Sequence, residues 1–134
     1  MRRTYLDSSV VIQAGQGVDD DKTGTLLEDR EREFVAASIL KLELLPQPTF
    51  HKRKAELAFL EDFFARVVDW CQASEELVSA ALAEARAVPL SAADAIHVAA
   101  AKRLKADELI TAERPGKPLH KARGLKVCFL PNAL

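Results

Sequence analysis

Short apolar runs alternate along this chain with longer segments in which apolar residues recur every three or four positions. The short runs have the length of buried strands, and they are about residues 3–6, EFVAAS, VVDWC, ELIT and LKVCFL. Two of the longer segments, HKRKAELAFLEDFFARV and SEELVSAALAEARAV, place their apolar residues mostly on one helical face. Strands that alternate with helices predict an α/β fold, a three-layer α/β/α domain with a central, mostly parallel sheet of about five short strands.

Serines and prolines predict where several helices begin and end. Three serines stand directly before helical segments and are expected to cap them: Ser38, Ser74 and Ser91. We expect Pro46 and Pro48 to end the helix that follows Ser38. Ser8 or Ser9 is expected to cap a short helix after the first strand, and both are better placed to do so than Asp7.

The composition is that of an ordinary globular protein, with 49% hydrophobic and 29% charged residues, and the length of 134 residues predicts a single domain, 1–134. No apolar run reaches the roughly 20 residues of a membrane span, and Asp7 interrupts the run that a signal peptide requires. We therefore expect a cytoplasmic protein. Cys71 and Cys128 lie in apolar stretches and are expected to be two buried thiols.

Charge is unevenly distributed although the formal net charge is only −1. Residues 15–33 carry seven acidic against three basic side chains, and residues 101–134 carry eight basic against three acidic ones. The segment QAGQGVDDDKTG, residues 13–24, is expected to be an exposed acidic loop, followed by a short helix in TGTLLEDRERE. The basic C-terminal part predicts either a solvated face or a surface that meets phosphates.

Four acids occur where they can converge. Asp7 follows the first strand and Glu113 follows ELIT, while Glu43 and Asp94 lie on helices that come after loops. Ligands of parallel sheets bind outside the carboxyl ends of the strands, so all four side chains can face one crevice. A carboxylate at a buried strand end is costly without a partner, which favours a functional role for Asp7.

Taken singly, the other three acids have simpler explanations. Asp94 with Ser91 matches a capping box, which is compatible with a role in a site. Glu43 stands between two leucines, where helical spacing could turn it to the solvent. Glu113 could form an exposed ion pair with Arg114. Only the combination points to a shared site.

The histidines do not suggest a catalytic triad. His97 lies three residues after Asp94 on the same helical face and is expected to be a packed or hydrogen-bonded core histidine. His51 and His120 stand among lysines and arginines and are expected on the surface, whereas Tyr5 is expected in the core. The sequence contains no GxGxxG, Walker or GxSxG motif.

Clustered carboxylates repel one another unless a cation holds them. Mg²⁺ or Mn²⁺ suits a site made of carboxylates and waters. Such an ion can activate a water and stabilise both oxygens of an in-line attack on phosphorus, so no nucleophilic side chain is required.

Three segments, LDSSVVI, SILKLELL and LSAADAIHVAAAKRLKADELIT, resemble the motifs of the PIN-domain family, in particular the small VapC-type toxin ribonucleases. The resemblance spans essentially the whole chain and implies a PIN-like fold. It implies that four acids are catalytic and metal-binding: Asp7, Glu43, Asp94 and Glu113. The family normally has an aspartate at the fourth position, two residues after Thr111. We expect Ser9 and Thr111 to orient the carboxylates by hydrogen bonds, and Arg114 and Lys117 to meet the substrate phosphate.

The resemblance implies a metal-dependent endoribonuclease that hydrolyses RNA phosphodiester bonds and is the toxin of a toxin–antitoxin pair. Members of this type commonly form homodimers and are inhibited by a cognate antitoxin that covers the acidic site. Glu113 and the acidic loop depart from the pattern, so a variant with altered or lost activity stays an alternative.

Other classes of protein remain open. A haloacid-dehalogenase-like phosphatase also has an aspartate after its first strand, but needs a second acid where this chain has Ser9. A receiver domain needs an early acidic pair and a late lysine. A non-catalytic PIN-like module would bind RNA or a protein partner through the helix at 51–65 and the acidic loop.

Overall fold

The computed structural model describes residues 1–18 and 20–133 and contains one five-stranded sheet. Its strands are β1 (Arg2–Leu6), β2 (Arg32–Ala37), β3 (Val67–Cys71), β4 (Glu108–Thr111) and β5 (Val127–Phe129). They lie in the order β3-β2-β1-β4-β5, and every pair of neighbours is parallel. The prediction of a parallel sheet of five short strands is confirmed. The order differs from the 2-1-3-4-5 order of receiver domains, which excludes that alternative.

Seven α-helices connect the strands in the described part of the chain. They are α1 (Ser8–Gly15), α2 (Asp20–Glu28), α3 (Ile39–Leu44), α4 (Pro46–Phe50), α5 (Lys54–Arg66), α6 (Glu75–Ala87) and α7 (Ala92–Arg103). Two 3-10 turns, Pro118–Lys121 and Leu130–Asn132, flank β5. Among the described residues, no helix combines the length and apolarity that a membrane crossing requires.

Alternation along the strands divides the core into two halves. Tyr5 and Leu109 pack against α6 and α7, whereas Leu6 and Ile110, their neighbours in sequence, pack against α1, α3 and α5. Successive side chains of a strand point to opposite faces, so each strand supplies both halves. The three-layer α/β/α arrangement is confirmed.

The alanines of α7 allow this helix to pack closely against the sheet and α6. Four of them are at most 2% exposed: Ala95, Ala99, Ala100 and Ala101. Small side chains let backbones approach closely, and a helix that is apolar around most of its circumference is buried. The result is that His97, on the same helix, is fully enclosed.

A buried ionic cluster fastens the opposite end of the sheet, where the strands begin. Glu108 of β4 accepts hydrogen bonds from Arg32 Nε at 3.1 Å and from Thr4 Oγ1 at 2.8 Å. Arg32 also donates to the carbonyl oxygen of Ala133 at 3.1 Å. This cluster joins three strands and the C-terminal turn.

The acidic segment is more helical than predicted. Residues 13–15 belong to α1 and residues 20–24 to α2, so the loop expected at 13–24 was wrong over most of its length. The helix expected in TGTLLEDRERE begins earlier and ends at Glu28. Asp19, which the expected loop contains, lies outside the described residues.

The predicted caps have mixed outcomes. The hydroxyls of Ser74 and Ser91 accept hydrogen bonds from backbone N–H groups in the first turns of α6 and α7, as predicted. Ser38 occupies the predicted N-cap position of α3, but its hydroxyl makes no capping bond and instead accepts from Ala73 N at 3.2 Å. Pro46 follows the end of α3 but begins α4, since proline fits the first turn of a helix.

Candidate functional site

The sheet has a topological switch point beside β1. From β1 the sheet extends through β2 to β3 on one side and through β4 to β5 on the other. A crevice forms outside the carboxyl ends of the strands at such a point, and ligands of open α/β sheets bind there. Asp7 directly follows β1, and Glu113 comes two residues after β4. The fold therefore brings the first and last of the four acids to the same edge.

Asp7 is buried and accepts three hydrogen bonds. Its Oδ1 accepts from Ser8 N at 2.9 Å, and its Oδ2 accepts from Ser9 Oγ at 2.8 Å and Thr111 Oγ1 at 2.9 Å. Asp7 itself is the N-cap of α1, so the expectation that a following serine caps this helix was wrong. The extended backbone of Asp7, directly after the strand, suits the N-cap position.

The hydroxyls of Ser9 and Thr111 connect the ends of β1 and β4. Ser9 Oγ accepts from Ala112 N and Thr111 Oγ1 accepts from Glu113 N, each at 3.0 Å. A backbone N–H can only donate, so each hydroxyl uses its own proton for Asp7 Oδ2. We call these two hydroxyls the hydroxyl bracket. Both residues make the kind of contact that the sequence motifs imply.

Asp94 lies in the first turn of α7, with its side chain half-buried. Burial and then the negative charge of Asp7 raise the pKa of its carboxyl, and Glu43 adds to the effect. His97 and a hydrogen bond from Ser91 act in the opposite direction. The cap and the proximity to the other acids therefore occur together at this position.

Glu43 is half-buried on α3, which disagrees with the alternative explanation of a fully exposed surface glutamate. Its Oε1 lies 2.5 Å from Nε2 of His97. The expectation of a hydrogen-bonded core histidine is confirmed, because His97 is 1% exposed and also contacts the hydroxyl of Tyr5 through Nδ1. Burial raises the pKa of Tyr5 well above its usual value, and the charges of Asp7 and Glu43 raise it further.

Glu113 lies at the rim of the crevice. Burial raises the pKa of its carboxyl, followed by the charges of Asp94 and Asp7, whereas Lys117 and His120 lower it. The charge of Asp7 therefore acts on both Asp94 and Glu113, which indicates that these three carboxyl groups lie near one another.

The segment after Glu113 differs from expectation in two contacts. Within the described part of the chain Glu113 forms no salt bridge with Arg114. His120, expected on the surface, is half-buried, and its Nε2 lies 2.7 Å from the carbonyl oxygen of Glu113, where it fixes the backbone of the fourth acid. Arg114 and Lys117 are exposed and free to meet a ligand.

The donor set suits a hard divalent cation. No lysine or arginine among residues 1–18 and 20–133 forms a salt bridge with Asp7, Asp94 or Glu113. Carboxylate oxygens are the ligands that Mg²⁺ and Mn²⁺ prefer. In the same described ranges, no three carboxylate, imidazole or thiol groups are already arranged around a common metal position. Like charges favour such separation, so the chemistry of the donors fits better than their present spacing.

Comparisons with known proteins identify the fold. No protein-family model matches the sequence, and no curated protein is significantly similar to it. A chain of VapBC2 from Rickettsia felis superposes with a TM-score of 0.72 at 15% identity, over 93% of this chain and 96% of that one. That VapBC2 is bound to a DNA fragment from its promoter. A chain of a toxin–antitoxin complex from Klebsiella pneumoniae superposes with a TM-score of 0.70 at 19% identity, over 95% of this chain and 97% of that one. A chain of DNA-bound VapBC from Salmonella typhimurium superposes with a TM-score of 0.66 at 17% identity, over 97% of this chain and 99% of that one.

These likenesses extend over nearly the whole of each chain. At identities of 15–19% they establish the fold and not the activity. The PIN-like fold expected from the sequence motifs is thereby confirmed.

Proposed function

We propose that this protein is a divalent-metal-dependent endoribonuclease that hydrolyses RNA phosphodiester bonds, and that it is the toxin of a toxin–antitoxin pair. The observation that carries the proposal is the gathering of carboxyl groups at the switch point, where burial and the charges of neighbouring acids raise the pKa values of Asp94 and Glu113. The shared fold with chains of toxin–antitoxin complexes supports the toxin role.

In this proposal three acids hold Mg²⁺ or Mn²⁺ directly, Asp7, Glu43 and Asp94, and Glu113 binds further out or through a water. A bound ion of this kind lowers the pKa of a water and stabilises the attacking and leaving oxygens of an in-line displacement. Side chains of the protein orient the ligands of this ion. The hydroxyl bracket occupies Oδ2 of Asp7 with two donated protons and so orients Oδ1 for binding.

The exposed cations after β4 would receive the substrate. Lys117 acts electrostatically on Glu113, which places its charge close to the rim of the crevice. Arg114 is exposed in the same segment. Both side chains can pair with the RNA phosphate and offset the negative charge of the carboxylates.

We further propose a cognate antitoxin that covers the acidic crevice, and a homodimer. The matched chains from Klebsiella pneumoniae, Rickettsia felis and Salmonella typhimurium come from toxin–antitoxin or VapBC structures, which supports an antitoxin partner. A cytoplasmic location, where RNA is met, stays a prediction.

A non-catalytic module is the second candidate, and one observation favours it. Glu43 already has a buried partner in His97, and the described acids are not arranged around a common metal position. Such a module would bind RNA or a protein without cleaving it.

Cleavage of RNA in the presence of Mg²⁺ or Mn²⁺ tests the proposal. The wild-type protein should cut structured RNA with either ion and lose the activity in EDTA. Asp94→Asn should reduce cleavage by at least ~100-fold, the usual cost of one electrostatic group in an active site. Asp62→Asn, at an exposed acid of α5, is the matched control and should leave cleavage unchanged. Full cleavage by Asp94→Asn, or cleavage that persists in EDTA, would contradict the proposal.

A further inference from the structure

A buried chain of hydrogen bonds runs from the sheet to Glu43. The hydroxyl of Tyr5, on β1, contacts Nδ1 of His97, and Nε2 of His97 lies 2.5 Å from Oε1 of Glu43. The two rings meet edge to face, with centroids 5.6 Å apart. Tyr5 and His97 are almost completely enclosed. A buried histidine with a partner on each nitrogen has a fixed position and orientation.

The chemistry of the three groups fixes the direction of these bonds. A carboxylate can only accept, so Nε2 of His97 carries a proton and donates it to Glu43. Burial keeps the phenol of Tyr5 protonated, because it raises the pKa well above the usual value. The protonated phenol can then donate its O–H to an unprotonated Nδ1 of His97. A neutral imidazole in this arrangement has its proton on Nε2.

This chain relates two of the acids to each other. His97 follows Asp94 by three residues on α7, and Glu43 lies on the six-residue helix α3. A glutamate side chain has several rotatable bonds and loses conformational entropy when it is held in one rotamer. The bond from His97 holds Glu43 against the helix that carries Asp94. It occupies Oε1 and leaves Oε2 as the oxygen available to a cation.

We propose that His97 and Tyr5 are positioning residues that hold the Glu43 carboxylate for divalent-cation binding. This inference rests on the proposed metal site, and it predicts that removal of the bond weakens cation binding through Glu43. Groups that orient a metal ligand typically contribute 10- to 100-fold to metal affinity.

Calorimetric titration with Mn²⁺ tests the inference without any RNA. His97→Leu replaces the imidazole by an apolar side chain of similar size that has no hydrogen-bond donor. It should raise the Kd for Mn²⁺ at least ~10-fold. His97→Gln can place an amide N–H near the position of Nε2, and its Kd should stay within about 3-fold of the wild-type value. Equal weakening by both substitutions would count against positioning, since a purely structural role makes no such distinction.

Two double variants separate positioning from stability. Tyr5→Phe with His97→Leu replaces both buried polar partners by apolar groups, which restores stability relative to His97→Leu alone. The double variant should still bind Mn²⁺ weakly. In a Glu43→Gln background, His97→Leu should cause less than ~2-fold further loss, because the two residues act as one unit. A loss as large as in the wild-type background would overturn the inference.

Nuclear magnetic resonance tests the inference on the wild-type protein itself, so the test does not depend on the folding of a variant. The ¹⁵N shifts of His97 in the metal-free protein should show a protonated Nε2 and an accepting Nδ1. The opposite tautomer would overturn the inference.

The outcomes distinguish this inference from the proposed function. If the wild-type protein does not bind Mn²⁺, the metal site itself is wrong and positioning for it is overturned as well. If the wild-type protein binds Mn²⁺, Asp7→Asn abolishes binding and His97→Leu leaves it unchanged, only the positioning role is wrong.

Discussion

Thr111 should be among the most sensitive residues of the site, although it is uncharged. Its hydroxyl donates to Oδ2 of Asp7 at 2.9 Å and accepts from Glu113 N at 3.0 Å. Thr111→Val retains the shape of the buried side chain and removes both bonds. A hydrogen bond to a charged group contributes about 1.5–3 kcal/mol and a neutral one about 0.5–1.5 kcal/mol. We therefore expect Thr111→Val to lower the free energy of unfolding by about 2–4 kcal/mol.

Urea denaturation followed by circular dichroism, in EDTA at pH 7.5, measures this loss. For a domain of this size the loss corresponds to a decrease in Tm of roughly 3–5 °C per kcal/mol. Thr25→Val is the matched control, because Thr25 is exposed on α2 and its hydroxyl donates to the carbonyl oxygen of Asp21 in its own helix. The control should change stability by no more than ~0.5 kcal/mol.

The comparison of the two valine variants decides whether the hydroxyl bracket joins β1 to β4. A loss below about 1 kcal/mol for Thr111→Val, or a loss equal to that of Thr25→Val, would refute the reasoning. It would mean that solvent or a shifted backbone replaces both bonds.

Three further predictions concern the acids. Burial and the neighbouring charges raise the pKa of Asp94 in the folded protein. The protonated carboxyl therefore contributes stability below the unfolded pKa of about 3.9, and this contribution is lost as the pH rises through the folded pKa. Asp94→Asn should therefore stabilise the metal-free protein by about 0.2–1 kcal/mol at pH 7.5, because solvent screens the charges of this half-buried site, with no gain near pH 3. Urea denaturation at both pH values checks this, and destabilisation at pH 7.5 would contradict it. Glu108→Leu removes the buried partner of Arg32, which keeps its ion pair with Asp29, and should cost about 1.5–3 kcal/mol in the same assay. Mn²⁺ affinity should be retained, because the cluster lies at the other end of the sheet. Glu113→Gln should weaken Mn²⁺ binding less than Asp7→Asn does, as titration calorimetry can show, and an equal loss would make Glu113 a direct ligand.

The fold could be predicted largely because its signals are local. The apolar runs gave all five strands, and Ser74 and Ser91 marked helix starts at the expected spacing. The strand ends then located Asp7 and Glu113 at one edge, because all parallel strands end on the same side.

The parts of the structure that could not be predicted depend on contacts between segments that are distant in sequence. Ser38 has the sequence position of a cap, but the turn before α6 supplies a competing N–H from Ala73. The bond between His97 and Glu43 joins residues 54 positions apart, and only the packing of α3 near α7 brings them together. The sequence offered one usable signal, the spacing of His97 three residues after Asp94.

The loop predicted in the acidic segment was wrong for a different physical reason. Glycines and aspartates between residues 13 and 24 are typical of loops, yet α1 and α2 extend into this segment. Buried leucines at the C-terminal end of α2, Leu26 and Leu27, hold that helix to the core. Tertiary packing here outweighs the weak helix propensity of the individual residues.

Calorimetric titration of Mn²⁺ into the wild-type protein and into Asp7→Asn, at the same low salt concentration, tests the metal site most directly. Circular dichroism of both proteins confirms that they are folded before the titration. We predict saturable binding by the wild-type protein that Asp7→Asn abolishes. Absence of binding in the wild-type protein, or equal binding by both proteins, would contradict a cation site at the switch point and favour the non-catalytic module.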